Sequence, residues 1–195
     1  MNVRTTICTC AAFALALVAA PTSGRLQAQD NHGLKHGGQS NDKDRGGALV
    51  KLVRASTERF KNVAAAEREN YHLMFGCVSG PDYGAMGLHY VNLDLVGDGE
   101  LDPAKPEIVI YEPVPNGRPR LIGADFLVFA EQWHAKNEAT PQIMGQLMHL
   151  IESPNRYGLP SFYTLHVWAW KESATGPFVN WHPNVSCDAF GSQDH

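Results

Sequence analysis

The order of the periodic segments constrains the fold most, because one helical stretch precedes several strand-like stretches. In residues 48–71, apolar side chains recur at helical spacing and Arg, Lys and Glu fill the opposite side. This pattern predicts a long amphipathic helix with a possible break at Ser56. Four later stretches are rich in β-branched and aromatic residues: 87–95, 107–111, 120–130 and 162–170. We therefore expect an α+β domain, its N-terminal helix packed on an antiparallel sheet or partly closed barrel.

Turn residues separate the strand-like stretches. Asn116-Gly117 lies between two apolar runs and predicts a tight antiparallel turn. Residues 141–151 fit either a short helix or another extended piece. With these segments, residues 48–195 are expected to form a single globular domain.

The N-terminus has the pattern of a secretory signal. One basic residue, Arg4, precedes an uncharged apolar run that ends at Ala20. The run is short for a membrane span, so we expect a signal peptide within residues 1–28, cleaved after Ala20, Gly24 or Ala28. Residues 29–47 are polar and Gly-rich, which predicts a flexible leader. The mature chain would then be periplasmic or extracellular and without a membrane anchor.

The charge balance excludes one class of partner. Removal of residues 1–28 would take Arg4 and Arg25 from the 16 basic residues and none of the 20 acidic ones, changing the net charge from −4 to −6. Binding of nucleic acid needs a basic surface, so we expect a small molecule or a metal ion as the partner.

Cleavage would leave Cys77 and Cys187 as the only cysteines, because Cys8 and Cys10 lie inside the signal. An even pair in an oxidising compartment predicts one intramolecular disulfide.

Polar residues inside apolar strands are the candidates for chemistry. In residues 165–170, alternation places His166, Trp168 and Trp170 on one face, opposite Leu165, Val167 and Ala169, which would lie under the helix.

Similar polar residues interrupt the other apolar strands, and a buried carboxylate is costly unless it is paired or bound to a metal. We therefore predict a divalent-metal site held by His89, His166 and one or both of Glu112 and Asp125. His149 is expected either as a further ligand or as a neighbour that supports one. Mixed nitrogen and oxygen ligands suit Zn, Fe, Mn or Cu better than Ca. The alternative is that each residue is satisfied separately, by a backbone group or by solvent.

Several segments resemble a family of small exported bacterial proteins of unassigned function. They are residues 84–90 (GAMGLHY), 101–103 (LDP), 111–113 (YEP), 154–160 (PNRYGLP), 165–170 (LHVWAW) and 180–187 (NWHPNVSC). The resemblance covers about residues 50–187 and implies an exported single domain. It draws attention to His89, Glu112, His149 and His166 but brings no activity. In that family a Glu is frequent at the position of Asp125 and an Asn at that of His182.

Two functions stay open on the sequence. The first is an exported metal-binding protein whose reaction is unassigned. The alternative is a non-catalytic binding module that holds an apolar or carbohydrate ligand against a Trp-rich face formed by Trp168, Trp170 and Tyr90. Neither a nucleophile elbow nor a phosphate-binding loop occurs in the sequence.

Overall fold

A six-stranded antiparallel sheet forms the centre of the fold. The structure, a computed structural model, describes residues 37–80 and 82–191. The strands are β1 (Tyr71–Ser79), β2 (Ala85–Asn92), β3 (Ile108–Glu112), β4 (Arg120–Phe129), β5 (Gln142–Ile143), β6 (Gln146–Leu147), β7 (His149–Ile151) and β8 (Phe162–Val167). The main sheet has the order β1-β2-β3-β4-β8-β7, and β5 pairs with β6 separately. The α+β class is confirmed, whereas the described strands form an open sheet and no closed barrel.

The helix expected over residues 48–71 is divided close to the break expected near Ser56, since its first part ends at Thr57. The helices are α1 (Gly37–Thr57), α2 (Val63–Arg68), α3 (Leu93–Asp98) and α4 (Ala130–His134), and 3-10 turns lie at Glu58–Lys61 and Asp188–Phe190. At the end of α1, Thr57 Oγ1 donates to Val53 O at 2.6 Å, and Asn62 then caps α2 through its side chain. Such side-chain bonds to the local backbone compete with a continuous helix.

The N-terminal end of α1 lies within the segment expected to be a leader. The helix begins at Gly37, inside residues 29–47. A helix anchored by buried residues further along can extend backwards without a new nucleation step. The expected signal peptide, residues 1–28, lies outside the described residues. No described helix has the length and apolar character needed to cross a membrane.

One face of the sheet packs against α1. Leu49 and Val53 of the helix are fully buried and lie in one cluster with Leu165, Val167 and Ala169. The prediction that these three residues lie under the helix is confirmed. The same side of the sheet carries a second cluster around Phe60, Tyr71, Tyr90 and Tyr111.

The C-terminal segment covers part of the opposite face. Trp168 and Val185 pack there in one cluster with Val91 and Ile108. The predicted disulfide between Cys77 and Cys187 is confirmed, with a Cα–Cα distance of 5.7 Å, and it joins β1 to this segment.

The β3–β4 turn and residues 141–151 are two further segments for which the sequence made a prediction. Asn116 adopts a φ of +53°, and Gly117 N donates to Val114 O at 3.2 Å, so the predicted tight turn joins β3 to β4. Residues 141–151 are extended, forming β5, β6 and β7.

Candidate metal centre

Three side chains from three strands converge on the face opposite α1. His89 of β2, Asp125 of β4 and His166 of β8 each offer one ligand atom, and these atoms all lie within 4.8 Å of one another. All three residues are buried, with exposed fractions of 7%, 3% and 3%. We call them the His–Asp cluster.

Sheet curvature brings the cluster together. Asp125 and His166 are direct partners in the β4–β8 register. His89 lies three strands from His166, a separation of about 14 Å in a flat sheet. The two imidazole centroids are nevertheless 5.8 Å apart. The sheet is therefore concave on this face, and irregularities in the β1–β2 and β3–β4 registers are of the kind that bends strands.

The backbone orients His89. Its Nδ1 lies 3.2 Å from Gly87 O. Because a carbonyl only accepts, Nδ1 carries the proton in the neutral ring and Nε2 keeps the free lone pair. Gly87 has a φ of +93°, and a Cβ there would lie 2.5 Å from Tyr111 O. Only glycine fits this position, so the carbonyl that holds His89 depends on it.

A hydroxyl orients Asp125. Thr164 Oγ1 donates to Asp125 Oδ1 at 2.6 Å, and the same oxygen lies 3.6 Å from His166 Nδ1. Burial raises the pKa of Asp125 to about 6, although the Thr164 hydrogen bond acts in the opposite direction. The carboxylate is thus mostly ionised at neutral pH although it is buried.

His166 is the least satisfied member of the cluster. Within the described part of the chain, neither of its ring nitrogens has a hydrogen-bond partner. Burial, assisted by His149, lowers the pKa of His166 to about 3. Burial and the nearby His166 likewise lower the pKa of His89 to about 4. Both imidazoles are neutral at pH 7, which is the form that binds metals.

The His–Asp cluster forms one wall of a cavity, which we call the site cavity. Its volume is about 50 Å³, counted for the centre of a water-sized sphere. The polar groups of its lining are the cluster, Thr164, Asn180 and the Tyr157 hydroxyl, which donates to Met86 Sδ at 3.5 Å. Apolar side chains from several strands and from the segment before β8 form the other walls, among them Phe75, Val78, Met86, Ile151 and Leu159.

Two of the five predicted ligands lie elsewhere. Glu112 is on the same face of β3 as Ile108 but four residues further along, and it forms ion pairs with Arg120 and Lys171. Burial would raise the pKa of Glu112, but the hydrogen bonds from Lys171 and Arg120 outweigh it and the pKa is lowered. His149 is opposite Thr164 on β7, where it is exposed and outside the His–Asp cluster.

The three aromatic residues expected to share a binding face lie on different sides of the sheet. Trp168 is buried against the rings of His166 and His182, at centroid distances of 5.6 and 5.1 Å. Trp170 is on the α1 side, where its Nε1 donates to Thr57 Oγ1, and Tyr90 packs against Tyr111 on that side too. β8 ends at Val167, so the strand alternation does not extend to Trp170.

Sequence reasoning missed three polar residues. Thr164 lies two residues before His166 in β8, so strand alternation would have placed both side chains on the same face. Asn180 lies in an irregular segment without a periodic signal. Its Oδ1 is buried and has no partner among the described residues. Glu107 is 2% exposed, its Oε2 accepts from Leu127 N at 3.0 Å, and burial raises its pKa to about 8.

The segments that carry the family resemblance also supply this site. Residues 84–90 contribute Gly87 and His89, and residues 165–170 contribute His166. The resemblance itself stays a prediction. Scans of the chain against protein-family models, curated proteins and solved structures found no match, so the site is interpreted from its own geometry.

Proposed function

We propose that this protein is an exported protein that binds a divalent transition-metal ion through His89, Asp125 and His166. The observation that carries the proposal is the convergence of three buried ligand atoms within 4.8 Å. Two imidazole nitrogens and one carboxylate oxygen are the ligands of many zinc and non-haem iron sites.

The distances suit an ion after small movements. Ligand atoms about 2.1 Å from a tetrahedral or octahedral ion are roughly 3.0–3.4 Å from one another. The 3.6 Å between His166 Nδ1 and Asp125 Oδ1 is close to that range. Rotation of the side chains, without movement of the strands, would bring the remaining atoms into it.

The charge balance supports a cation at this position. Asp125 is buried and its nearest titratable partners are imidazoles whose lowered pKa values keep them neutral at pH 7. A buried carboxylate without an opposite charge is strongly disfavoured. A divalent ion would neutralise it and would give His166 a partner for its free lone pair.

Residues around the cluster are placed to hold the ligands. Thr164 and the Gly87 carbonyl orient Asp125 and His89. Asn180 lines the site cavity with His166, and its buried Oδ1, which has no partner among the described residues, could accept the Nε2 proton of His166 when Nδ1 binds the ion. Such outer partners set the tautomer and the orientation of metal ligands. An ion with three protein ligands keeps a position for water or another small molecule, here on the side of the site cavity.

Export is supported by separate observations. The disulfide between Cys77 and Cys187 is compatible with an oxidising compartment, and residues 1–28 have the pattern of a cleaved signal. N-terminal mass spectrometry of the protein recovered from the periplasm or medium tests this part. A mature chain beginning after Ala20, Gly24 or Ala28 is expected, and an intact Met1 terminus on an intracellular protein would contradict it.

Metal analysis tests the site. Protein purified without added metal is compared with a His89→Ala/His166→Ala double variant and with Asp125→Asn, by elemental mass spectrometry and by calorimetric titration with Zn, Fe(II), Mn and Cu(II). We expect one ion per chain in the wild type, a melting temperature raised by the ion and lowered by chelator, and loss of both effects in the variants.

His72→Ala is the matched control, because His72 is an exposed histidine on β1 outside the cluster. Its metal content should equal that of the wild type. Equal and negligible metal in the wild type and the double variant would exclude the proposed function.

A further inference from the structure

We infer that the site cavity takes a small, mostly apolar molecule whose single polar end is directed at the His–Asp cluster. The inference rests on the proposed function, because the polar end would occupy the open position of the bound ion. It adds the chemical class of the ligand.

The distribution of polar groups in the lining determines that class. Apart from the His–Asp cluster, Thr164 and Asn180, the lining is apolar except for the Tyr157 hydroxyl, which already donates to Met86 Sδ. A ligand with one polar end can match the cluster and bury the rest of its surface against the apolar side chains. A sugar would bring several hydroxyl groups against walls whose single further hydrogen-bonding group is the Tyr157 hydroxyl, so most of them would lose their partners, which is unfavourable. The carbohydrate ligand considered from the sequence is therefore the poorer fit.

The volume of the site cavity also restricts the size of the ligand. A cavity needs roughly 10–15 Å³ of such volume to admit one water, so about 50 Å³ admits a group larger than a single water. The space therefore suits a short chain of a few non-hydrogen atoms.

Two aromatic rings of the lining limit the length of the ligand. Phe75 and Tyr157 meet edge to face at a centroid distance of 5.7 Å. Both line the site cavity, and Phe75 is 46% exposed, so the pair lies between the cavity and solvent. Phe75 has a φ of +64° in an irregular part of β1 between Met74 and Cys77. A bulky residue in this conformation is unusual, and unusual conformations are concentrated at functional sites.

A series of primary alcohols, from methanol to n-octanol, is the probe. Each has one polar oxygen and a tail of increasing length. The readout is the NMR signal of the methionine methyl groups in zinc-loaded, disulfide-intact protein. Met86 lines the site cavity, whereas Met148 is buried in the cluster beneath α1 and serves as the internal control.

We expect the Met86 signal to shift with alcohol concentration and the Met148 signal to stay in place. Affinity should rise about fourfold for each added methylene until the cavity is full, and then level off or fall. Glucose should have no effect. Absence of a length-dependent shift at Met86 in protein that carries zinc would overturn the inference while leaving the metal site intact.

Phe75→Ala tests whether the Phe75 ring limits the length of the ligand in the site cavity. We expect it to extend the rising part of the series to longer alcohols, because the ring no longer closes the cavity. Leu73→Ala is the matched control, since Leu73 is also exposed on β1 but lies outside the site cavity. Identical length profiles for Phe75→Ala, Leu73→Ala and the wild type would overturn the inferred position of the ligand.

The same series in metal-free protein separates the two proposals. If the wild type binds no metal, the proposed function fails and the alcohols must still shift Met86, because the ring nitrogens of His166 and the Oδ1 of Asn180 remain without partners among the described residues. If that shift is also missing, the ligand inference fails as well.

Discussion

Thr164 donates a 2.6 Å hydrogen bond from β8 to Asp125 Oδ1 on the neighbouring strand β4. Because Thr164 is buried, its hydroxyl restricts the carboxylate to one orientation. Partners of this kind contribute to metal affinity without touching the metal, and their loss typically costs about 10–100-fold. We therefore expect Thr164→Val to weaken metal binding by about that factor, measured by calorimetric titration.

Thr164→Ser is the control for this prediction, because it keeps the hydroxyl and should retain most of the affinity. Equal metal affinity in Thr164→Val and the wild type would show that Asp125 needs no orienting partner.

Gly87→Ala should destabilise the protein and weaken its metal site together. The added Cβ would lie 2.5 Å from Tyr111 O, at a φ of +93°. A loss of more than about 1 kcal/mol is expected in urea unfolding. His89 should lose its orienting carbonyl as the backbone moves, and metal affinity should fall.

Gly97→Ala is the matched control for Gly87→Ala. Gly97 lies in α3 with no atom within 4 Å of an added Cβ. Its stability should be unchanged or slightly raised, as expected for Ala in a helix. Similar losses for both substitutions would contradict the steric explanation.

As the pH rises, titration of Glu107 should lower the free energy of unfolding of the wild type. Glu107→Gln should abolish that decrease. Burial raises the pKa of Glu107 from 4.5 to about 8 in the folded protein. The folded state thus holds a proton that the unfolded state releases, so this contribution is fully present below about pH 4.5 and is lost as pH rises through about 8. Gln keeps an acceptor for Leu127 N and does not titrate.

The measurement for Glu107 is urea unfolding of both proteins across this pH range. The stability of Glu107→Gln relative to the wild type should increase between pH 4.5 and 8, by an amount on the order of 4 kcal/mol. A constant difference between the two proteins would show that Glu107 titrates normally in the folded state.

Removal of the disulfide should lower stability without moving the metal ligands. Cys77 and Cys187 are 110 residues apart in the sequence. Closure of such a loop contributes about 4–5 kcal/mol in the chain-entropy description. The Cys77→Ser/Cys187→Ser variant should unfold at lower urea concentration by that amount, and zinc should still raise its melting temperature. Equal stability of the variant and the wild type would mean that the unfolded chain is already compact without the disulfide.

Local pattern was sufficient for much of the fold. Alternation in residues 165–170 correctly placed Leu165, Val167 and Ala169 under α1, because side-chain direction in a strand depends only on neighbouring residues. The same rule was wrong for Trp170, since β8 ends at Val167 and the chain then turns. Where a strand ends depends on its hydrogen-bond partners, which lie far away in the sequence.

The candidate ligands shared one signal, a polar residue at or near an apolar strand. That signal does not distinguish Glu112 from Asp125. In the structure Glu112 is paired with Arg120 and Lys171, whereas Asp125 has Thr164 and two neutral imidazoles. The difference arises from register and from the path of the C-terminal segment, and neither can be derived from the residues around each carboxylate.

The sequence by itself determined the α+β class and the side of β8 that faces the helix, because periodicity is a property of the chain alone. It also predicted the pairing of Cys77 with Cys187, on the expectation that a cleaved signal carries Cys8 and Cys10. Only the tertiary structure decided that His89 meets Asp125 and His166. Their strands are separated by others, and the distance between the side chains depends on how far the sheet bends. Bending results from irregular registers and packing across the whole sheet, so it is a property of the assembled fold.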